Sequence, residues 1–236
     1  MDIAERENSI NRSLERALHL LSVMEQAERA LSLTEISAAA QLHKPTAQRL
    51  LNVLERYGYA EKRQGRYHLG AAVLPLAHAY ILENELSRAA LPVLQELAIA
   101  SEETASLFVR LGFQRVVVQR VEGAHPLRYV LPIGKRLPLH LGVGKVLAAA
   151  MADEEIAKML EGLDRIPLAS GAELTKAQLV EELARVRAQG YSISRNEREM
   201  GMASIAAPVS DAFGVVVAAV SVAGYTERFD AKTDRL

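Results

Sequence analysis

Two helix starts lie close together in the first quarter of the chain, and their spacing is compatible with few folds. Ser32 and Glu35 have the spacing of a capping box, in which each side chain accepts a backbone N–H at the start of a helix. Pro45 is tolerated in a helix only in the first turn, so it indicates a second start near Lys44. The helix between them must be short. With an amphipathic helix predicted over residues 13–26, the pattern indicates a helix-turn-helix.

The helix that begins near Pro45 has two chemically different faces. At about 100° per residue, its apolar residues share one side, which we expect to be buried. These are Ala47, Leu50, Leu51 and Leu54. The other side carries the amide and cationic groups that read base edges in a major groove, so we interpret this helix as a DNA recognition helix. The candidates for base contact are Lys44, Gln48, Arg49 and Asn52.

Residues 43–68 form a basic segment in a chain that is nearly neutral overall. The whole chain has 28 basic and 29 acidic residues. A compact positive surface in such a chain favours an anionic partner. Within this segment, residues 59–69 are typical of a hairpin that turns at Gly65, which predicts a wing after the recognition helix. The candidates for phosphate contact are Arg56, Lys62, Arg63 and Arg66.

The second half of the chain alternates predicted strands and helices. The predicted strands are residues 105–110, 115–121, 127–131, 203–209 and 215–222. The predicted helices are residues 145–151, 153–160 and 176–189. Strand hairpins separated by helices favour an antiparallel sheet with a helical layer, so the fold class is α+β. We expect a DNA-binding domain over residues 1–73, a linker helix over 74–89 and a second domain over 90–236.

Short motifs in one order connect the two halves of the chain. They are Leu33-Thr34-Glu35-Ile36, Pro45-Thr46, Tyr67-His68-Leu69-Gly70, Leu137-Pro138-Leu139-His140 with Gly144-Lys145, and Glu197 and Gly201 ahead of residues 204–209. This set resembles the IclR family of bacterial transcription regulators. The resemblance implies a winged helix-turn-helix, a GAF/PAS-like α/β sensor domain with an antiparallel sheet, and homodimers or homotetramers on a double-stranded DNA operator.

The resemblance also implies that residues 90–236 form an effector-binding domain, with a pocket between the sheet and the loop over residues 137–144. The effector-binding candidates that it implies are Leu131, Gly142, Val143, Met202, Ser204 and Ser221. Ser194 stands where many members of the family carry an acidic residue. A separate possibility is that the helix near Gly144 presents its N–H groups to a small carboxylate.

The function predicted from these features is sequence-specific transcription regulation under the control of a small organic acid. Repression is favoured over activation. An enzyme built on a GAF-like domain is the first alternative, but no cluster of titratable residues in the sequence indicates an active site. A non-specific architectural DNA-binding protein is the second. Residues 69–236 hold 18 basic and 20 acidic residues, whereas an architectural protein would be basic throughout.

Several classes of site are disfavoured by the composition. The chain has no cysteine, and its six histidines lack the spacing of metal ligands, so we expect neither a metal site nor a cofactor. Residues 1–7 are polar, unlike a signal peptide, and the longest apolar runs are too short to cross a bilayer. We therefore expect a cytoplasmic protein without membrane contact.

Overall fold

The computed structural model describes residues 3–27 and 29–230. The chain divides into two compact units, Met1–Glu83 and Asn84–Leu236.

The described residues of the first unit form four helices and a small antiparallel sheet. The helices are α1 (Ile3–Ala27), α2 (Leu33–Ala39), α3 (Lys44–Arg56) and α4 (Val73–Glu83). The strands are β1 (Leu31–Ser32), β2 (Ala60–Arg63) and β3 (Arg66–Leu69), in the order β1-β3-β2. Helices α2 and α3 form the predicted helix-turn-helix, and β2 and β3 form the predicted wing.

Local hydrogen bonds explain where these elements begin and turn. Ser32 Oγ accepts the Glu35 N–H at 3.3 Å, and Glu35 Oε2 accepts the Ser32 N–H at 2.7 Å, which completes the capping box of α2. Pro45 lies in the first turn of α3, where its missing N–H costs nothing. Gln64 and Gly65 both have positive φ, 50° and 77°, as a two-residue hairpin turn of the wing requires.

Helix α3 packs on the core of the first unit through one face. Ala47, Leu51 and Leu54 are buried there, together with Tyr67 of β3. Leu50, at the centre of the predicted apolar face, is only half-buried. The buried face is therefore centred nearer Leu51 than the sequence pattern indicated.

The second unit is built on a six-stranded antiparallel sheet in the order β6-β5-β4-β11-β10-β9. Its strands are β4 (Thr104–Leu111), β5 (Gln114–Val121), β6 (Arg136–Pro138), β9 (Ser192–Arg195), β10 (Met202–Ser210) and β11 (Val216–Tyr225). A separate hairpin consists of β7 (Arg165–Pro167) and β8 (Glu173–Thr175). The helices are α5 (Glu85–Ser101), α6 (Gly144–Ala149), α7 (Asp153–Met159), α8 (Lys176–Gln189) and α9 (Thr226–Asp230).

Alternation along the strands divides the side chains between two cores. In β4, Leu107 packs in the core that includes Leu94 and Ala98 of α5, whereas Phe108 packs with the helices α6, α7 and α8. Successive side chains of a strand point to opposite faces, so one sheet supports both cores. The α+β fold with an antiparallel sheet and a helical layer is confirmed.

Residues 74–89, predicted to be one linker helix, lie in two helices separated by Asn84. Asn84 Oδ1 accepts the Ser87 N–H at 2.9 Å and caps α5. Helix α5 therefore begins at Glu85 and continues through Pro92. The role of residues 74–89 as a linker stays a prediction.

The strand predicted over residues 127–131 is wrong. These residues have no regular structure, and β6 lies beside β5 instead. The Val117 N–H donates to the Lys135 carbonyl at 3.2 Å, and the Gly134 N–H donates to the Val117 carbonyl at 2.8 Å. The edge of β5 is thus paired over residues 114–117 with residues 134–138, and residues 127–131 form no ladder.

Candidate functional site

The recognition face of α3 carries the four predicted base-contact residues. Lys44, Arg49 and Asn52 are exposed, and Gln48 is half-buried. Three of the four therefore have side chains accessible to a duplex, and the fourth is held by neighbouring residues.

Gln48 connects the recognition helix to the wing. Its Nε2 donates to the hydroxyl oxygen of Tyr67 at 2.8 Å and to Asn52 Oδ1 at 2.7 Å. The Tyr67 hydroxyl donates to Gln48 Oε1 at 3.1 Å. A buried residue of the wing thus restrains the amide groups on the recognition face.

The cations of the wing are exposed but partly neutralised by carboxylates. Arg63 binds Glu61 with two hydrogen bonds of 2.7 and 2.6 Å, and the carboxylate raises the pKa of the Arg63 guanidinium. Arg66 Nη1 lies 3.4 Å from Glu35 Oε2. Lys62 Nζ lies 5.2 Å from the centroid of the Tyr67 ring. A phosphate would therefore compete with Glu61 for Arg63 and with Glu35 for Arg66. Arg56, the remaining predicted phosphate contact, is exposed in the last turn of α3.

A cavity of about 50 Å³ lies in the second unit, between β4, β5, β10 and β11 and the segment that leads into α6. All six residues that the family resemblance implied line it, namely Leu131, Gly142, Val143, Met202, Ser204 and Ser221. The structure therefore brings together residues that are up to 90 positions apart in the sequence. Ser204 Oγ lies 3.2 Å from Ser194 Oγ, so the two hydroxyls form a hydrogen bond with each other.

Arg115 of β5 places a positive charge in the wall of this cavity. Its side chain is only 2% exposed. Nη1 donates to the backbone carbonyls of Pro138 and Leu141, the latter at 2.7 Å. Burial lowers the pKa of the guanidinium to about 9, and the charge of Arg198 contributes in the same direction. The guanidinium still carries its charge at neutral pH.

The Arg115 guanidinium forms no direct ion pair with any other described residue, and its Nε has no hydrogen-bond partner among them. The Phe108 ring centroid lies 5.5 Å from Arg115 Cζ, and the nearby Glu197 carboxylate raises the pKa of the guanidinium by less than burial lowers it. Two more buried polar atoms of the cavity wall, Thr104 Oγ1 and Tyr129 Oη, also lack a partner in the part of the chain that the structure describes. Buried polar groups in proteins are nearly always satisfied, so three unsatisfied atoms in one cavity indicate a place for a polar ligand.

The carboxylate of Glu197 also lines the cavity, but the protein itself satisfies it. Its Oε2 accepts the Gly142 N–H at 2.8 Å, and its Oε1 accepts a hydrogen bond from Lys145 Nζ. Lys145 is fully buried and also donates to Glu182 at 2.5 Å. This ion-pair cluster ties the segment before α6 to α8.

The possibility that helix α6 presents its N–H groups to a ligand carboxylate is not supported. The Gly144 and Lys145 N–H groups donate to the carbonyls of Leu141 and Gly142 at 3.2 and 3.1 Å. The Gly142 N–H is already bound by Glu197. The N–H groups of this short helix start are therefore used within the protein.

Sequence reasoning missed several polar residues of the cavity wall. They include Thr104, Arg115, Tyr129 and Arg198. One signal was present, because Arg115 alternates with Val117 in a strand, and a period of two gives both side chains the same buried face. Tyr129 gave no such signal, since it lies in the irregular segment.

The described residues contain neither a metal-binding cluster nor a membrane-spanning helix. No cluster of three or more histidine, cysteine, aspartate or glutamate side chains suited to a metal ion occurs within residues 3–27 and 29–230. No helix in that part of the chain combines the length and the apolar character needed to cross a membrane.

Models of known protein families match the sequences of both units. The family model "Bacterial transcriptional regulator IclR C-terminal" matches residues 78–236, and the model "IclR helix-turn-helix domain" matches residues 13–64. The HTH-type transcriptional repressor AllR of Salmonella typhi is 32% identical over 221 residues, which are 92% of this chain and 80% of the relative.

Two solved structures illustrate the similarity in fold. An IclR family transcriptional regulator from Brucella abortus has a TM-score of 0.81 at 25% identity, covering 98% of this chain and 89% of its own. An IclR homologue from Microbacterium hydrocarbonoxydans, complexed with 4-hydroxybenzoate, has a TM-score of 0.69 at 23% identity, with coverages of 90% and 89%.

Proposed function

Because this chain belongs to the IclR family of bacterial transcriptional regulators, we propose that it is a cytoplasmic repressor that binds its operator as a homo-oligomer and responds to a small organic acid. The similarity to a transcriptional repressor supports the direction of regulation. Binding, and not catalysis, is the activity proposed for both units.

The exposed side chains of α3 support specific DNA recognition. Lys44 and Arg49 are suited to guanine, and Asn52 is suited to adenine. Arg56 and the wing cations Lys62, Arg63 and Arg66 are suited to phosphates, which add affinity and salt dependence without reading sequence. Both kinds of contact come from one unit.

Exposed apolar surface on the first unit supports self-association. Helix α4 has no buried residue, although its side chains are mainly apolar, and Leu74 and Leu82 are 67% and 60% exposed. Leu14 and Leu18 of α1 are exposed as well. Exposed apolar patches mark protein interfaces, and a second copy of this chain would also supply the second recognition helix that a two-fold operator requires.

The single observation that carries the effector proposal is the unpaired, buried Arg115 guanidinium. A carboxylate that enters the cavity would accept a hydrogen bond from Nε and neutralise the charge. Thr104 and Tyr129 would offer hydroxyl groups to a hydroxyl or carbonyl substituent of the same ligand. Leu131, Val143 and Met202 would contact its carbon skeleton, while Gly142, Ser204 and Ser221 complete the wall.

The cavity carboxylate argues against an enzyme. Both carboxylate oxygens of Glu197 accept hydrogen bonds within the protein, one from the Gly142 N–H and one from Lys145 Nζ. A catalytic acid or base must instead reach a substrate atom with its carboxyl group. The role of Glu197 is therefore to hold the segment before α6, through Lys145 and Glu182, against α8.

DNA binding is tested by fluorescence anisotropy of the full chain with DNA from upstream of its own gene and with a scrambled fragment, over a salt series. We expect tight binding to the upstream fragment and a steep decrease of affinity with salt. Equal and weak binding to both fragments would contradict a specific operator there.

The effector is tested with pairs of small molecules that differ only in charge, namely 4-hydroxybenzoate with 4-hydroxybenzamide and lactate with lactamide. We expect at least one acid to raise the melting temperature of the protein and to change its DNA affinity, while the matching amide does neither. Equal stabilisation by an acid and its amide would contradict an anion site at Arg115.

A further inference from the structure

The hydrogen bonds between wing and recognition helix suggest how the reading side chains are oriented. Tyr67 is fully buried in the core of the first unit, and its hydroxyl oxygen reaches α3. The Tyr67 hydroxyl, the Gln48 amide and the Asn52 amide follow one another in a chain of hydrogen bonds.

The donors of Gln48 are fully used in this chain. A glutamine amide has two N–H donors, and in Gln48 one is bound by the Tyr67 hydroxyl oxygen and the other by Asn52 Oδ1. Recognition of adenine by glutamine requires an N–H for N7 and the carbonyl for the N6 amino group. Gln48 cannot supply that N–H without losing one of its two bonds.

Asn52, unlike Gln48, uses its amide oxygen and not its N–H donors in this chain of hydrogen bonds. Its Oδ1 is turned toward Gln48, and the side chain is exposed. No protein acceptor bonds its Nδ2 among the described residues, so both N–H groups of that nitrogen remain for a base edge. The direction in which Asn52 offers its donors is therefore set by Gln48, and that of Gln48 by Tyr67.

We propose that Tyr67 and Gln48 are positioning residues that fix the orientation of the Asn52 amide, and that Asn52 is the group in this set that reads a base. This inference rests on the proposed operator binding. It also reassigns Gln48, which the sequence pattern placed among the base-contact residues. Lys62, a predicted phosphate contact of the wing, lies over the ring of Tyr67. The buried Tyr67 therefore contacts Lys62 directly and Asn52 through Gln48.

The test uses the Tyr67→Phe variant of the full chain, which keeps the buried ring and removes only the hydroxyl group. A binding sequence is first selected from random DNA with the wild-type protein, and each base pair is then changed in turn. We expect Tyr67→Phe to lose about five- to thirtyfold in discrimination at one base pair, because a good amide–base contact contributes about that much. Its affinity for scrambled DNA should stay within about twofold of wild type, since phosphate contacts are unchanged.

Two further variants make the result specific. Asn52→Ala should lose discrimination at the same base pair, and the double variant should lose no more than Asn52→Ala alone, because both changes remove one contact. Tyr59→Phe is the matched control, since Tyr59 is a tyrosine that packs against the same core. It should discriminate as wild type does.

The outcomes separate this inference from the proposed function. If the wild-type protein selects no preferred sequence, both the operator proposal and the inference are wrong. If the wild type is selective and Tyr67→Phe is folded by circular dichroism but equally selective at every base pair, the inference alone is overturned. A uniform loss on operator and scrambled DNA would also overturn it, because it would indicate a general structural role for the hydroxyl.

Discussion

Both units of this protein depend on cationic side chains, but they hold them in opposite environments. In the first unit, Lys44 and Arg49 project from α3 into solvent. In the second, Arg115 is 2% exposed and Lys145 is fully buried. Water and salt screen an exposed charge, whereas a buried charge interacts in a medium of lower dielectric constant. Each buried cation should therefore have a larger individual effect than each exposed one.

The two buried cations differ from each other as well. Lys145 forms ion pairs with Glu182 and Glu197, whereas the hydrogen bonds of Arg115 Nη1 go to backbone carbonyls and no carboxylate among the described residues pairs with it directly. Removing one partner of a buried ion pair is destabilising because it leaves the other charge uncompensated, and a buried charge without a direct partner costs stability until a ligand neutralises it. The comparison suggests that Lys145 serves structure and Arg115 serves binding.

The largest effect is expected for Lys145→Met. This change leaves the carboxylates of Glu182 and Glu197, which are 22% and 10% exposed, without their buried cation, which should lower the free energy of unfolding by about 3–5 kcal/mol. Urea unfolding followed by circular dichroism measures this. Lys158→Met, at an exposed position of α7, is the control and should change the free energy by less than about 0.5 kcal/mol. Equal stability of the two variants would show that the cluster is not structural.

Arg115→Met should separate binding from stability. We expect about hundredfold weaker binding of whichever acid stabilises the wild type, because truncating a buried charge contact costs several kcal/mol. Stability without ligand should stay the same or increase, since an unpaired buried charge is removed.

Arg110→Met is the matched control for this experiment. Arg110 faces Arg115 across the β4–β5 ladder, but it is bound to Glu155 at 2.5 Å and is partly exposed. Isothermal titration calorimetry should give wild-type affinity for this variant. A loss of affinity equal to that of Arg115→Met would contradict a specific anion site.

Smaller effects are expected on the exposed surface. Arg49→Ala should weaken operator binding about tenfold and relax the preference for one base pair. Lys62→Ala should weaken binding to operator and scrambled DNA alike and reduce the slope of log affinity against log salt by about 1. Anisotropy titrations at several salt concentrations measure both variants. If Lys62→Ala changes selectivity and Arg49→Ala does not, the wing and not α3 reads the sequence.

The smallest effect concerns Glu35 in the cap of α2. Hydrogen bonds from the Ser32 backbone N–H and hydroxyl, and from Arg29, lower the pKa of this carboxyl from 4.5 to about 2. A lowered pKa in the folded state stabilises the protein above pH 4.5, and this stabilisation is lost as the pH falls toward 2. Glu35→Gln should therefore show a weaker dependence of stability on pH in this interval, whereas Glu15→Gln on α1 should match the wild type. Urea unfolding midpoints at several pH values measure this dependence. The same pH dependence in both variants would contradict the prediction.

The sequence predicted the first unit better than the second because the decisive contacts there are local. The Ser32–Glu35 capping box and the Gln64-Gly65 turn are satisfied by residues a few positions apart, so residue types and spacing are sufficient. The strand assigned to residues 127–131 failed for the opposite reason. Its apolar pattern was compatible with a strand, but the edge of β5 was already paired with residues 134–138.

Local sequence patterns were also insufficient to predict the residues of the cavity. Gly142, Ser204 and Ser221 were reached through resemblance to a family, and the structure places them in one wall together with the missed Arg115. Nothing in the local sequence says that the Nε of Arg115 lacks a partner. That property depends on the carbonyls of Pro138 and Leu141, which bind the guanidinium, and on Lys145 and the Gly142 N–H, which bind the nearby Glu197 carboxylate.

The sequence alone determined the helix-turn-helix with its wing, the chemistry of the exposed face of α3 and the family to which the chain belongs. Tertiary structure decided that Gln48 is held by Tyr67, that Glu197 binds the Gly142 N–H and that Arg115 is buried without an anion. The reason is the range of the interactions. Caps and turns involve neighbours along the chain, whereas burial and charge pairing depend on strand register and packing between residues far apart in sequence.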